Sequence, residues 1–175
     1  MKVLFLDFDG VIYTIHNNTE SSIEKRVKIL SEICHRYNLN VVISAAAKEL
    51  INEFDLTTES KSINELFNLF TKYSINLVGV TPQIGKHTKY GIYIPIWKEH
   101  EIESYLNLHP EIEAFVILDD DDLGEEKSDL KMYKDYLVKP IHYSINNPEE
   151  EGLLPKHIDE VGNILDKQIK KERNM

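Results

Sequence analysis

Short apolar runs alternate along this chain with longer stretches whose apolar residues recur at helical spacing. Lys2 to Phe8 is nearly continuously apolar, which predicts a strand buried on both faces, the kind found in parallel sheets. Runs at 40–44, 75–80 and 114–118 predict three more strands, and 136–141 a short fifth. Between them, Ile23, Val27, Leu30 and Ile33 predict a helix ending near Tyr37, with Ser21 and Ser22 as its N-caps. The Ala-rich stretch after Ser44 predicts a helix to about Glu53. Ser62 to Tyr73 predicts another, with Ile63, Leu66, Phe67 and Phe70 on one face. Lys98 to Leu108 and Pro155 to Lys170 complete the helices. Val11 to Asn18 reads as a short hairpin or a loop. Gly85, Gly91 and Pro95 make 82–96 a loop, and Lys170 to Met175 a frayed tail.

Strands alternating with helices imply an α/β three-layer sandwich around a central parallel sheet, closed by right-handed crossovers. The 175 residues suit one domain over 1–175. No apolar run approaches the roughly 18 residues of a membrane span, so no membrane partner is expected. The N-terminal run is broken by Asp7 and Asp9 and is too short for a signal peptide. The single cysteine, Cys34, rules out an internal disulfide and a Cys-rich zinc site, and fits a reducing cytoplasm. The net charge of −10 argues against a broad basic surface for nucleic acid, but not against a local grip on one phosphate.

In a parallel sheet, ligands bind beyond the carboxyl ends of the strands. Asp7 and Asp9 end the first strand, Ser44 the second, and Asp119 and Asp120 the fourth. If the first and fourth strands are neighbours, their carboxylates converge and repel. Magnesium relieves such repulsion, because it takes a few carboxylates, keeps waters and binds substrate phosphate. Zinc more usually recruits His or Cys, and the seven histidines show no paired metal spacing. Asp7 is placed to attack phosphorus, and Asp9 to exchange a proton with the leaving oxygen, while Phe8 points into the core. Gly10 lets the backbone turn where a β-carbon would clash. Ser44 can donate to a phosphoryl oxygen. A lysine at a helix start can offset the charge of nucleophile and phosphate; Lys98 has that placement, with Lys86 and Lys89 as rivals. Tyr90, Tyr93 and Trp97 could line a base or sugar, or belong to the core.

Asp7-Phe8-Asp9-Gly10-Val11 resembles the first motif of the haloacid dehalogenase-like (HAD) superfamily. Val42-Ile43-Ser44 is similar to its second motif, Lys98 to its third in placement, and Val116-Ile117-Leu118-Asp119-Asp120 to its acidic fourth. His109-Pro110-Glu111-Ile112-Glu113, leading into that fourth motif, resembles a capless subgroup that includes domains of multi-part RNA-repair proteins. The resemblance implies a Rossmannoid fold and a magnesium-dependent phosphatase. In it Asp7 is phosphorylated, Asp9 is acid then base, and Ser44 and Lys98 hold the phosphoryl group. Asp7, the Asp9 backbone carbonyl and Asp120 would hold the metal, with Asp119 a ligand or a support for one. Asp121, Asp122 and Glu125 are alternatives for a further acidic position. Ala45, Ala46 and Ala47 replace the subgroup's hydroxyl residues and tryptophan, and Lys48 stands near its arginine. The short spacings from Asp9 to Ser44 and from Ser44 to Lys98 leave little or no room for a cap. An open site suits phosphates on bulky substrates, such as nucleic-acid ends or proteins, better than small metabolites; the expected substrate is a nucleic-acid end or a nucleotide.

Overall fold

A computed structural model describes residues 1–87, 93–95, 98–121 and 131–173. Five parallel strands form the central sheet: β1 (Lys2–Leu6), β2 (Asn40–Ile43), β3 (Leu77–Val80), then β6 (Ala114–Leu118) and β7 (Leu137–Val138), in the spatial order β3-β2-β1-β6-β7. The chain therefore builds outward from β1 in one direction and returns to build in the other. The reversal falls between β1 and β6, whose registers align Leu6 with Leu118.

Side chains alternate across the sheet and fill two separate cores. Leu4, Leu6, Val41, Ile43, Val116 and Leu118 pack on one face against α1 (Glu20–Tyr37), α2 (Lys61–Lys72) and α4 (Lys156–Arg173). Val3, Phe5, Val42 and Ile117 pack on the other, against Ile102 and Tyr105 of α3 (Lys98–Leu108) and Tyr133. Helices thus cover both faces, which is the expected three-layer α/β arrangement.

The local differences from expectation have identifiable causes. Helix α1 is capped by Thr19, whose hydroxyl accepts from the Ser22 amide at 3.2 Å, rather than by Ser21 or Ser22. Ser22 lies inside the first turn and its hydroxyl donates to the Asn17 carbonyl at 2.7 Å. The Ala-rich stretch forms only a 3₁₀ turn over Ala46–Leu50. Beyond it the Asn52 carboxamide accepts from the Phe54 amide and the Asp55 carboxylate from the Thr57 amide. These local bonds turn the chain back so that Ile51 pairs with Thr58. The expected loop over 82–96 contains an antiparallel pair, β4 (Gly85–His87) with β5 (Tyr93–Pro95). Strand β7 is shorter than the predicted 136–141, because Lys131–Tyr136 is a 3₁₀ turn. Helix α4 continues to Arg173, through most of the expected tail. Among the described residues, no helix is long and apolar enough to cross a membrane.

Candidate active site

Register brings the strand ends together. The Asp7 amide donates to the Leu118 carbonyl at 2.9 Å, and the Ser44 amide to the Leu6 carbonyl at 2.8 Å. Asp7, which follows β1, therefore lies between Ser44, which follows β2, and Asp119, which follows β6. Carboxylate oxygens of Asp7, Asp119 and Asp120 all lie within 4.8 Å of one another. Lys98, the first residue of α3, places its Nζ 2.6 Å from Asp119 Oδ2 and 3.3 Å from Asp7 Oδ1. Of the predicted site residues, Asp7, Ser44, Lys98, Asp119 and Asp120 thus meet at one edge. The Asp9 side chain is exposed and its carboxylate is not one of the three gathered there. Phe8 is buried in the core as expected.

Burial dominates the electrostatics. It raises the Asp7 pKa to about 7; the Lys98 charge opposes the rise and the Asp119 charge adds to it. Asp119 is raised for the same first reason, again against the pull of Lys98. Burial works against the Lys98 charge, but the carboxylates of Asp119 and Asp7 outweigh it and hold its pKa above the ordinary value. One lysine is therefore shared between two buried carboxylates, and it does not offset the desolvation that raises both. Among the described residues, Ser44 Oγ is buried with no hydrogen-bond partner, an arrangement folded proteins seldom leave without a purpose.

The loops beyond the strands fix these groups. Gly10 has φ +69°, and a β-carbon there would lie 2.2 Å from Asp120 Cγ, so glycine satisfies both the turn and the close approach. The Asp119 carboxylate accepts from the Asp121 amide at 3.0 Å. His142 Nδ1 lies 2.6 Å from Asp120 Oδ2. The spacing of the histidines gave no hint of that contact. The signal that could have found it is the strand-end rule, since His142 lies in the loop that follows β7. Arg26, buried in α1, donates to the carbonyls of Ile12 and Glu151 and to Thr14 Oγ1, tying the loop after β1 to the one after β7.

Below Lys98 lies a buried ion pair that the sequence did not disclose. Lys48 bonds to Glu101 of α3 and to Thr81 Oγ1, the latter at 3.1 Å, and Glu101 Oε1 accepts from the Ile84 amide at 3.3 Å. Burial depresses the Lys48 pKa despite its partner. Lys89, Tyr90, Trp97, Asp122 and Glu125 lie outside the described residues, as do the side chains of Lys86 and Tyr93.

No curated protein and no solved structure gives a significant match to the chain. A family profile described as the HAD domain in Swiss Army Knife RNA repair proteins matches residues 3–142, which include every strand of the sheet and every acid of the cluster. With that match over most of its length, and with a parallel sheet that gathers its acids where the strand order reverses, the chain belongs to this HAD family.

Proposed function

We propose that this protein hydrolyses phosphomonoesters through a phosphorylated Asp7, with a divalent metal of the magnesium type. The observation that carries the reading is the group of three carboxylates within 4.8 Å, two of them paired with Lys98, beside a Ser44 hydroxyl that is buried and unpartnered among the described residues. The donor set fits a hard dication: it is all oxygen, and the raised Asp7 pKa reports desolvation, with repulsion from Asp119 added, that a bound cation would offset. Asp7 and Asp120, with the Asp9 carbonyl, would hold it, and Asp119 would act as a further ligand or as the support of Lys98. When bound, the metal supplies positive charge to the phosphoryl oxygens and keeps Asp7 ionised.

Asp7 attacks phosphorus and the ester oxygen leaves. Asp9, exposed at the mouth, gives that oxygen a proton and then takes one from the water that cleaves the aspartyl-phosphate. Ser44 donates its free hydroxyl to a phosphoryl oxygen, and Lys98 neutralises charge that builds there. Such positioning supplies most of the acceleration in phosphoryl transfer. The RNA-repair association of the family supports a phosphate on a nucleic-acid end or a nucleotide as the substrate.

The test is phosphate release from a generic aryl phosphate with and without magnesium. The parent should release phosphate only with the metal, and Asp7→Asn should release none while keeping the parent's circular dichroism. A purified Asp7→Asn protein with full activity would refute the assignment.

A further inference from the structure

The loops after β1 and β7, which also carry Asp9 and His142, bring together an aromatic pair that the proposed chemistry does not use. His16 and Tyr143 stack with ring centroids 5.1 Å apart and planes 29° from parallel. His16 belongs to the loop after β1, which carries Asp7 and Asp9, and Tyr143 to the loop after β7. Their rings remain open to solvent: Tyr143 is 49% exposed even with His16 against it. Ile15 and Ile145, in the same two loops, are also 58% and 69% exposed.

The pair is held from beneath. The fully buried Glu151 carboxylate accepts from the His16 amide at 3.0 Å and the Ser144 amide at 2.9 Å, and lies 2.7 Å from His16 Nδ1. A single acid thus fixes the chain at both rings. Arg26 links the same two loops through Thr14 and the Glu151 carbonyl. A rigid, solvent-facing aromatic surface costs little ordering when a flat ligand settles on it.

Its location identifies the ligand. Tyr143 directly follows His142, whose Nδ1 is 2.6 Å from Asp120 Oδ2 in the carboxylate cluster. Neighbouring α-carbons are about 3.8 Å apart. The stack is thus anchored one residue along the chain from a side chain bonded to the carboxylate cluster, and a single nucleotide is the ligand whose base and phosphate would serve the two together. With a net charge of −10 the protein is poorly suited to follow a long phosphate backbone, whereas stacking on a base needs no basic surface.

We propose that the Tyr143–His16 stack is a platform for the base of the nucleotide whose phosphate is removed. This rests on the phosphohydrolase reading, and it makes a terminal or free nucleotide the substrate.

Binding separates the two ideas. In Asp7→Asn with magnesium, calorimetric titration compares adenosine 5′- and 3′-monophosphate with ribose 5-phosphate, which lacks the base. At least one adenosine ligand should bind about tenfold more tightly than the sugar phosphate, the range of one base–aromatic stack. Adding Tyr143→Ala should bring that ratio to about one, and Tyr143→Trp should keep it. Equal binding of all three ligands, including none at all, overturns the platform, as does a ratio that survives Tyr143→Ala. A wild-type protein that binds adenosine phosphates with the expected Tyr143 dependence but hydrolyses no phosphomonoester would instead overturn the phosphohydrolase reading alone. An oligonucleotide bearing the preferred terminal phosphate distinguishes a nucleic-acid end from a free nucleotide by the tighter of the two.

Discussion

Replacing Lys48 by methionine keeps most of the side chain's volume but leaves the Glu101 carboxylate in place with its counter-charge gone. The side chains of the pair are only 7% and 8% exposed, so solvent cannot take over the role of the lost ammonium. Removing one partner of a buried ion pair typically costs about 3–5 kcal/mol. Thr81 Oγ1 also loses the donor that sits 3.1 Å away. Lys48→Met should therefore destabilise the fold by about 4 kcal/mol, moving a urea midpoint by roughly 2 M for a protein of this size. Lys48→Met with Glu101→Leu removes both charges. That leaves the Ile84 amide without its acceptor, a loss of about 1–3 kcal/mol, against the relief of two desolvated charges. The double variant should lie within about 2 kcal/mol of the parent. Equilibrium urea unfolding of the four proteins of the cycle measures this directly. A single variant as stable as the parent, or a double variant no better than the single, would refute the argument that the pair is closely coupled.

Two further outcomes follow from the geometry. Gly10→Ala introduces a β-carbon 2.2 Å from Asp120 Cγ at a backbone φ of +69°, so Asp120 must shift. The magnesium concentration for half-maximal phosphate release should rise about tenfold, while circular dichroism stays that of the parent. His157 is buried, its Nδ1 accepts from the Leu154 amide, and burial followed by the Lys156 charge lowers its pKa to about 4. The unfolded chain binds this proton below pH 6.5 and the folded chain does not, so stability is complete above pH 6.5 and declines as pH falls toward 4. The loss is about 3 kcal/mol, and His157→Asn, which offers an acceptor but does not titrate, should flatten that part of a denaturation-versus-pH curve.

The layers and the gathering of acids at the strand ends were legible because both rest on strong, local signals. Unbroken apolar runs mark buried parallel strands, and each of Asp7, Ser44 and Asp119 directly follows one. Where the prediction departed, short-range side-chain chemistry or long-range pairing had decided the outcome. Ala45 to Ala47 favour helix intrinsically, but the Asn52 and Asp55 side chains offer the next residues competing bonds. The Lys48–Glu101 and Asp120–His142 partners lie 53 and 22 residues apart, and no spacing rule connects them. Gly10 gave part of its meaning away in advance. The sequence indicates a turn there, but only the fold shows that the residue it makes room for is Asp120.

Arg26 bears on how substrate choice in this protein could be redesigned. Its guanidinium is shared among acceptors at Ile12, Thr14 and Glu151, and a β-carbon on Gly152 would sit 2.4 Å from its Nε. The loops after β1 and β7 are therefore not independent cassettes. A graft of one loop from a relative would arrive without the acceptors or the clearance that this arginine requires. The smallest transferable unit is the two loops together with Arg26. A library that varies the exposed positions 15, 143 and 145 while keeping Thr14, Arg26, Glu151 and Gly152 fixed would explore new ligands on an intact frame.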